Sequence, residues 1–421
     1  MDFVKKKLPN GLRVICAPMK NTETVTFLVL VGAGSHYETR DINGISHFLE
    51  HMFFKGTKKC PESGELSRRL DAIGAEHNAF TSREETGYWV KTHKRHFSMA
   101  LGFVADILQN SLMRREEIER ERQVIFEEMK MAWDNPMRYI WYIFERHLYG
   151  DQPAGWDTIG TFETLKRIKR PQIIEYWQKQ YTASNTVVIV SGKVSPKEVF
   201  SGVSEAFVSF KKGKPKNAPK LRKIKDGPSV NIFEKNTDQT HLIFGARGFP
   251  LNCKERIIAE ILATILGGYM SSRLFMEIRE KRGLAYAVHA GHQAYTQSGY
   301  LAVYAGVPHK AAVKVPIYIA KEFKKVREKG VTEEELSRAK ENIRGKLAIS
   351  LESTDEVASF LGVQELLLKK VLTPAKILKI IDSISENDIK RVAGKMFVSK
   401  NYYLAFITPN GSHLQKLKSK I

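Results

Sequence analysis

Two copies of one α+β domain joined by a basic linker are predicted for this 421-residue chain. Three pairs of segments carry the prediction. Thr24–Val31 and Thr240–Ala246 both read as strands that lead into a helix. Glu116 opens an acidic helix, and Thr332, followed by Glu333, Glu334 and Glu335, opens its counterpart. Asn185–Ser191 and Asn401–Ile407 are apolar strands rich in β-branched or aromatic residues. One and the same offset separates Thr24 from Thr240, Glu116 from Thr332, and Asn185 from Asn401. A repeat at one constant offset means a duplicated structural unit. The domains so predicted are 1–210 and 229–421, with the linker at 211–228.

The first element is a short strand that ends in the Asn10-Gly11 turn. No apolar core follows its lysines, so the segment is not expected to be a secretory leader. The strand at 24–31 leads to His47-Phe48-Leu49-Glu50-His51. This reads H-x-x-E-H, the inverse of the commoner H-E-x-x-H. On a helix, His47 and His51 stand one turn apart on one face and can hold one metal ion. Glu50 beside them can take a proton from an attacking water.

A catalytic zinc usually has three protein ligands. The acidic helix over 115–129 offers candidates for the third. Glu121, Val124, Ile125 and Glu128 share one face, which carries two carboxylates where a buried stripe would be apolar. Glu119, Arg120, Arg122 and Glu127 are expected on the solvated side. His77, in the strand-like segment Gly74–Ser82, lacks a helical partner and is expected to be a plain polar residue.

Four segments together resemble the pitrilysin or insulinase-type zinc peptidases, the inverzincins. They are Asn43–Thr57, Asn78–Glu84, Glu121–Glu128 and Ser272–Tyr286. Length and pattern are most similar to the small two-domain members, such as the β subunit of the mitochondrial processing peptidase. The resemblance implies a glutamate ligand well downstream of the second histidine, supported by a glutamate two helical turns before it. Glu128 lies at such a remove from His51, and Glu121 precedes it by two turns. Glu128 is thus the implied third zinc ligand and Glu121 its supporting partner, with a register shift to Glu127 left open.

The same resemblance implies two homologous domains, each an antiparallel sheet packed by helices, facing each other around a chamber. It implies that an extended polypeptide pairs with the edge strand carrying Asn78, Ala79 and Phe80, with Glu84 close by. Arg279 and Tyr286 are implied as donors to the scissile carbonyl. Read without the family, Arg279 is a solvated helix residue and Tyr286 a core aromatic. The second copy places Ala263, Gly267 and Arg344 at the offset positions of His47, His51 and Glu128, so it is expected to hold no metal.

The expected function is zinc-dependent endopeptidase action on unfolded or short polypeptides. The alternative is a non-catalytic scaffold or binding subunit of the same fold. A homodimer, or a heterodimer with a related subunit, is expected by resemblance. The net charge of +21 is partly local: the stretch 211–225 holds eight lysines and arginines and no acid. Its prolines and glycine mark an extended linker. No nucleic-acid-binding motif accompanies it, so no nucleic-acid partner is expected. No apolar run approaches the ~20 residues needed to span a bilayer, so no membrane insertion is expected. Cys16, Cys60 and Cys253 are few and scattered, which suits a reducing, cytoplasmic setting.

Overall fold

The computed structural model describes all residues, Met1–Ile421. Eleven strands form two sheets. In chain order they are β1 (Val4–Lys7), β2 (Arg13–Pro18), β3 (Thr24–Val31), β4 (Glu76–Thr81), β5 (Thr86–His93) and β6 (Thr186–Gly192), followed by β7 (Ser229–Glu234), β8 (Thr240–Arg247), β9 (Ala287–Ala294), β10 (Gly299–Val307) and β11 (Tyr402–Thr408). The first sheet has the order β1-β2-β6-β3-β5-β4 and the second β7-β11-β8-β10-β9. Leaving out β1, the two orders are the same. The offset read from the sequence carries β2, β3 and β6 onto β7, β8 and β11, end for end.

Both sheets are mixed, which corrects the expectation of antiparallel ones. β2 runs parallel to β6, and β7 parallel to β11. These pairs are joined through most of a domain, and only such a long crossover can bring strands together in parallel. The hairpin pairs β4–β5 and β9–β10 are antiparallel.

The compact units are not the contiguous halves 1–210 and 229–421. The first unit comprises Met1–Met129, Trp156–Pro219 and Ala348–Thr373, and the second comprises Lys130–Gly155, Lys220–Leu347 and Pro374–Ile421. Each half of the chain thus gives one helix to the other unit. In the first unit, the helix Thr354–Val363 lays Val357, Ala358 and Leu361 on Ile15, Leu28, Leu30, Val187 and Ile189. Gly362 permits the close approach, since a Cβ there would come within 2.7 Å of Ile189 and Leu30 methyl carbons. In the second unit, the helix Pro136–Tyr149 packs Ile140, Phe144 and Leu148 on Ile243, Tyr300, Ala302, Tyr403 and Ala405. The Phe144 ring fills the place where a side chain on Gly245 would stand.

The opposite face of the first sheet, with Val25, Phe27, Val29, Val188 and Val190, is covered by helices of the first half, including Phe97–Asn110. With both faces covered, β6 is buried along its whole length and its sequence is apolar without alternation.

The stretch expected as an extended linker has no regular structure, but it is pinned to each unit in turn. The Lys211 carbonyl accepts from Ala183 N at 2.9 Å in the first unit. In the second, Leu221 N donates to Gln297 Oε1 at 2.9 Å, and Tyr403 donates its hydroxyl to the Lys225 carbonyl. No helix is long and apolar enough to cross a membrane.

The exchange has a measurable consequence. A fragment ending at Lys212 lacks Ala348–Thr373 and uncovers Ile15, Leu28, Leu30, Val187 and Ile189, all at most 1% exposed in the full chain. At about 1.5–3 kcal/mol per large buried side chain, the loss is comparable to the whole stability of a domain. The fragment is expected to bind a hydrophobic dye and to show no cooperative unfolding, and a stable, dye-silent fragment would contradict this.

Candidate metal centre and active site

The helix Ile45–Met52 separates its two faces cleanly. Ile45, Phe48, Leu49 and Met52 are buried in the first core. His47, Glu50 and His51 lie on the other side and are each half-buried. The helix starts at Gly44, which sits at φ +96°, where a side chain would be strained. A Cβ at Gly44 would also come within 2.6 Å of the Ile159 carbonyl oxygen.

The fully buried Glu38 carboxylate holds this N-terminus. It accepts from Ser46 N at 2.9 Å, Gly44 N at 2.8 Å and Asn43 Nδ2 at 2.9 Å. The carboxyl group satisfies two amides that the start of the helix leaves unpaired, and burial raises its pKa against the hydrogen bonds that lower it.

The acidic helix spans Arg115–Asp134. It brings Glu128 Oε2 to 3.5 Å from His47 Nε2 and 3.6 Å from His51 Nε2. Ligand atoms of the three residues all lie within 4.8 Å of one another. Metal–ligand bonds of about 2.1 Å in a tetrahedron place neighbouring ligand atoms ~3.4 Å apart. The separations of 3.5 and 3.6 Å are close to that edge, and two imidazoles with one carboxylate form a donor set that suits zinc. The residues present therefore fit the ion.

Glu128, rather than Glu127, stands with the histidines; Glu127 lies off this face and is exposed. Glu121 is 4% exposed and accepts from His51 Nδ1 at 3.1 Å. This bond places the His51 proton on Nδ1 and leaves Nε2 for a metal. Lys55 Nζ, 2.7 Å from the other Glu121 oxygen, holds that carboxylate from its far side.

Two expectations for this helix need correction. Val124 is 47% exposed, so the inward face carries Glu121, Ile125 and Glu128 without it. Arg122, expected in solvent, is 4% exposed. Its guanidinium donates to the Leu165 carbonyl and, at 3.0 Å, to the Ile168 carbonyl. It also lies over the Phe48 ring at 5.2 Å from the centroid. An arginine can be buried where its planar fork finds this many acceptors.

The electrostatics favour a cation. Burial works to lower the pKa of His51, but hydrogen bonds to Glu121 and Glu128 outweigh it and raise the group to about 9. Burial works to raise Glu121, and bonds from His51 and Lys55 reverse the sign and leave it lowered. Burial raises the Glu50 carboxyl, opposed by a hydrogen bond from Thr81.

The pH dependence of metal uptake follows. A histidine ligand must be neutral, whereas His51 in the metal-free protein stays protonated up to about pH 9. Zinc bound at this site is therefore expected to displace close to one proton from this group at pH 7. Affinity is expected to rise about tenfold per pH unit and to level off, as far as His51 is concerned, above pH 9. Calorimetric titration in buffers of different ionisation enthalpy measures the protons released. Zinc uptake with no proton release between pH 7 and 8 would contradict it.

The other residues singled out in the sequence are placed as follows. Asn78, Ala79 and Phe80 lie on β4, the outer edge strand of the first sheet. Asn78 Oδ1 accepts the Ala79 backbone N–H at 2.8 Å. Glu84 is 2% exposed and faces the buried His36, with Oε1 at 3.3 Å from Nδ1. His77 is half-buried beside Phe103 and outside the metal-binding group.

In the second unit, Arg279 Nη1 donates to the Tyr286 carbonyl at 2.9 Å, and its guanidinium lies 5.0 Å from the Tyr286 ring centroid. Tyr286 is 78% exposed and is therefore not the core aromatic that composition suggests. At the duplicated positions, Ala263 and Gly267 are buried on the helix Glu255–Gly267, and Arg344 pairs with Glu341 and Asp382.

Glu38, Lys55 and Thr81 join the site only in the folded structure. Lys55 follows His51 at helical spacing, a usable signal. Glu38 and Thr81 have no comparable pattern.

Comparisons with known proteins identify the family. Residues 13–161 match the family described as "Insulinase (Peptidase family M16)", and residues 167–343 match "Peptidase M16 inactive domain". An uncharacterized zinc protease, YmxG, of Bacillus subtilis is 35% identical over 404 residues, covering 96% of this chain and 97% of its own length. An uncharacterized zinc protease of Rickettsia felis is 36% identical, covering 94% and 96%. The crystal structure of a protease from Helicobacter pylori superposes with a TM-score of 0.90 at 26% identity, covering 97% of this chain and 99% of that one. The sequence match along nearly the whole chain, together with the duplicated fold, shows that this protein belongs to the insulinase or pitrilysin-type peptidase family M16.

Proposed function

We propose that the protein is a zinc-dependent endopeptidase that cleaves unfolded or short polypeptides. The observation that carries this reading is the convergence of His47 Nε2, His51 Nε2 and Glu128 Oε2, with Glu50 on the same helix face. The zinc held by these three residues would supply Lewis acidity, activating water and polarising the scissile carbonyl. Glu50 takes the proton of the attacking water and passes it to the leaving nitrogen. Glu121 and Lys55 keep His51 oriented with Nε2 toward the ligand set. The edge of β4 binds an extended substrate backbone, so segments already free of their own pairing are preferred. Arg279 and Tyr286 are proposed as donors to the oxyanion that grows in the transition state.

The test is digestion of unstructured peptides. A chelator is expected to abolish cleavage and zinc to restore it. A stable folded protein is expected to resist while its unfolded form is cut. Arg279→Ala and Tyr286→Phe are expected to lower kcat about tenfold or more at unchanged zinc content. Cleavage that persists in metal-depleted protein would refute the reading.

A further inference from the structure

The face that carries Glu50 meets strand β4 through one side-chain bond. Thr81, the last residue of β4, donates its hydroxyl to Glu50 Oε2. A carboxylate on a flexible two-carbon stem is thus held at one of its oxygens. The donor is neutral, so it orients the base without neutralising it, as a lysine or arginine would.

The position of the donor matters as much as its chemistry. Thr81 and Ala79 are two residues apart on β4, so their side chains share a face of the sheet. β4 is also the strand whose outer edge is open. The Ala79 N–H on that strand donates to the neighbouring Asn78 side chain at 2.8 Å. A substrate carbonyl could replace that acceptor. The element that would receive the substrate backbone is therefore the one that holds the base.

We infer that Thr81 is a positioning residue: its hydroxyl aims the Glu50 carboxylate and ties that aim to the strand on which the polypeptide substrate docks. The inference rests on the peptidase reading above and adds to it a residue that acts through Glu50. In this assignment Thr81 acts through Glu50 and is neither a metal ligand nor a contact of the substrate side chains. Its loss is therefore read in turnover, with zinc content and substrate affinity unchanged.

The experiment compares Thr81→Val, which keeps the shape and removes the donor, with Thr81→Ser, which keeps the donor. Each variant is measured for zinc-to-protein ratio, for kcat and KM on an unstructured fluorogenic peptide, and for binding of the same peptide in a Glu50→Gln background. For Thr81→Val, kcat is expected to fall about tenfold to a hundredfold, the cost of a misplaced catalytic group, with KM within about twofold. Thr81→Ser is expected to recover most of the rate. Zinc content and peptide affinity should match the parent protein in both. Wild-type kcat in Thr81→Val, or equal loss in Thr81→Ser and Thr81→Val, would overturn the inference and leave the peptidase reading standing. A zinc-loaded wild-type protein that cleaves no peptide would defeat the peptidase reading and this one with it.

Discussion

Replacing Glu50 by glutamine is expected to leave one zinc per chain and to lower peptide hydrolysis by about a hundredfold to ten-thousandfold, the usual contribution of a general base. The substitution conserves size and still offers Thr81 an acceptor, so the helix and the three ligand side chains should keep their places. What it removes is the group able to take a proton. Burial raises the Glu50 carboxyl above its ordinary value, which makes it a stronger base than an exposed glutamate once ionised. Metal analysis and steady-state kinetics on the same preparation decide the matter. Zinc retained with full activity would show that another group takes the proton. Zinc lost would show that Glu50 supports the metal instead.

The second large effect concerns the acidic helix. Glu128→Gln is expected to lose most bound zinc, because Glu128 supplies the carboxylate oxygen 3.5 and 3.6 Å from the two imidazole nitrogens. Glu127→Gln, one residue away and off that face, is expected to keep it. Glu121→Gln should fall between them, with affinity lower by about ten- to a hundredfold, the typical cost of losing a partner behind a ligand. Titration of metal-free protein with zinc against a chromogenic competitor ranks the three variants. Zinc retained by Glu128→Gln and lost by Glu127→Gln would move the ligand by one residue.

These predictions draw on features that differ in how they can be read from the chain. His47, Glu50 and His51 lie within five consecutive residues, and helical geometry alone puts them on one face. Glu121 and Glu128 are two helical turns apart, so their shared face is also local. The duplication is equally legible, because a constant offset between matching elements survives divergence of the individual side chains. Arg122 was misread because a charged residue in a charge-rich helix resembles a solvated one. Its burial depends on the carbonyls of Leu165 and Ile168, which lie far from it in sequence.

By itself, then, the sequence determined what periodicity and spacing can carry: two related α+β units, with His47, Glu50 and His51 on one helix face in the first and no matching set in the second. It did not determine which helix covers which sheet. The unbroken apolar run Val187–Val190 announces a strand buried on both faces, but an apolar surface is non-directional and names no partner. Only the tertiary structure decided that Thr354–Val363 covers the first sheet and Pro136–Tyr149 the second, that each sheet has one parallel pair, and that Glu38 and Thr81 stand behind the helix Ile45–Met52 and its Glu50. All of these rest on contacts between residues brought together by the fold, and such pairings leave no period in a single chain.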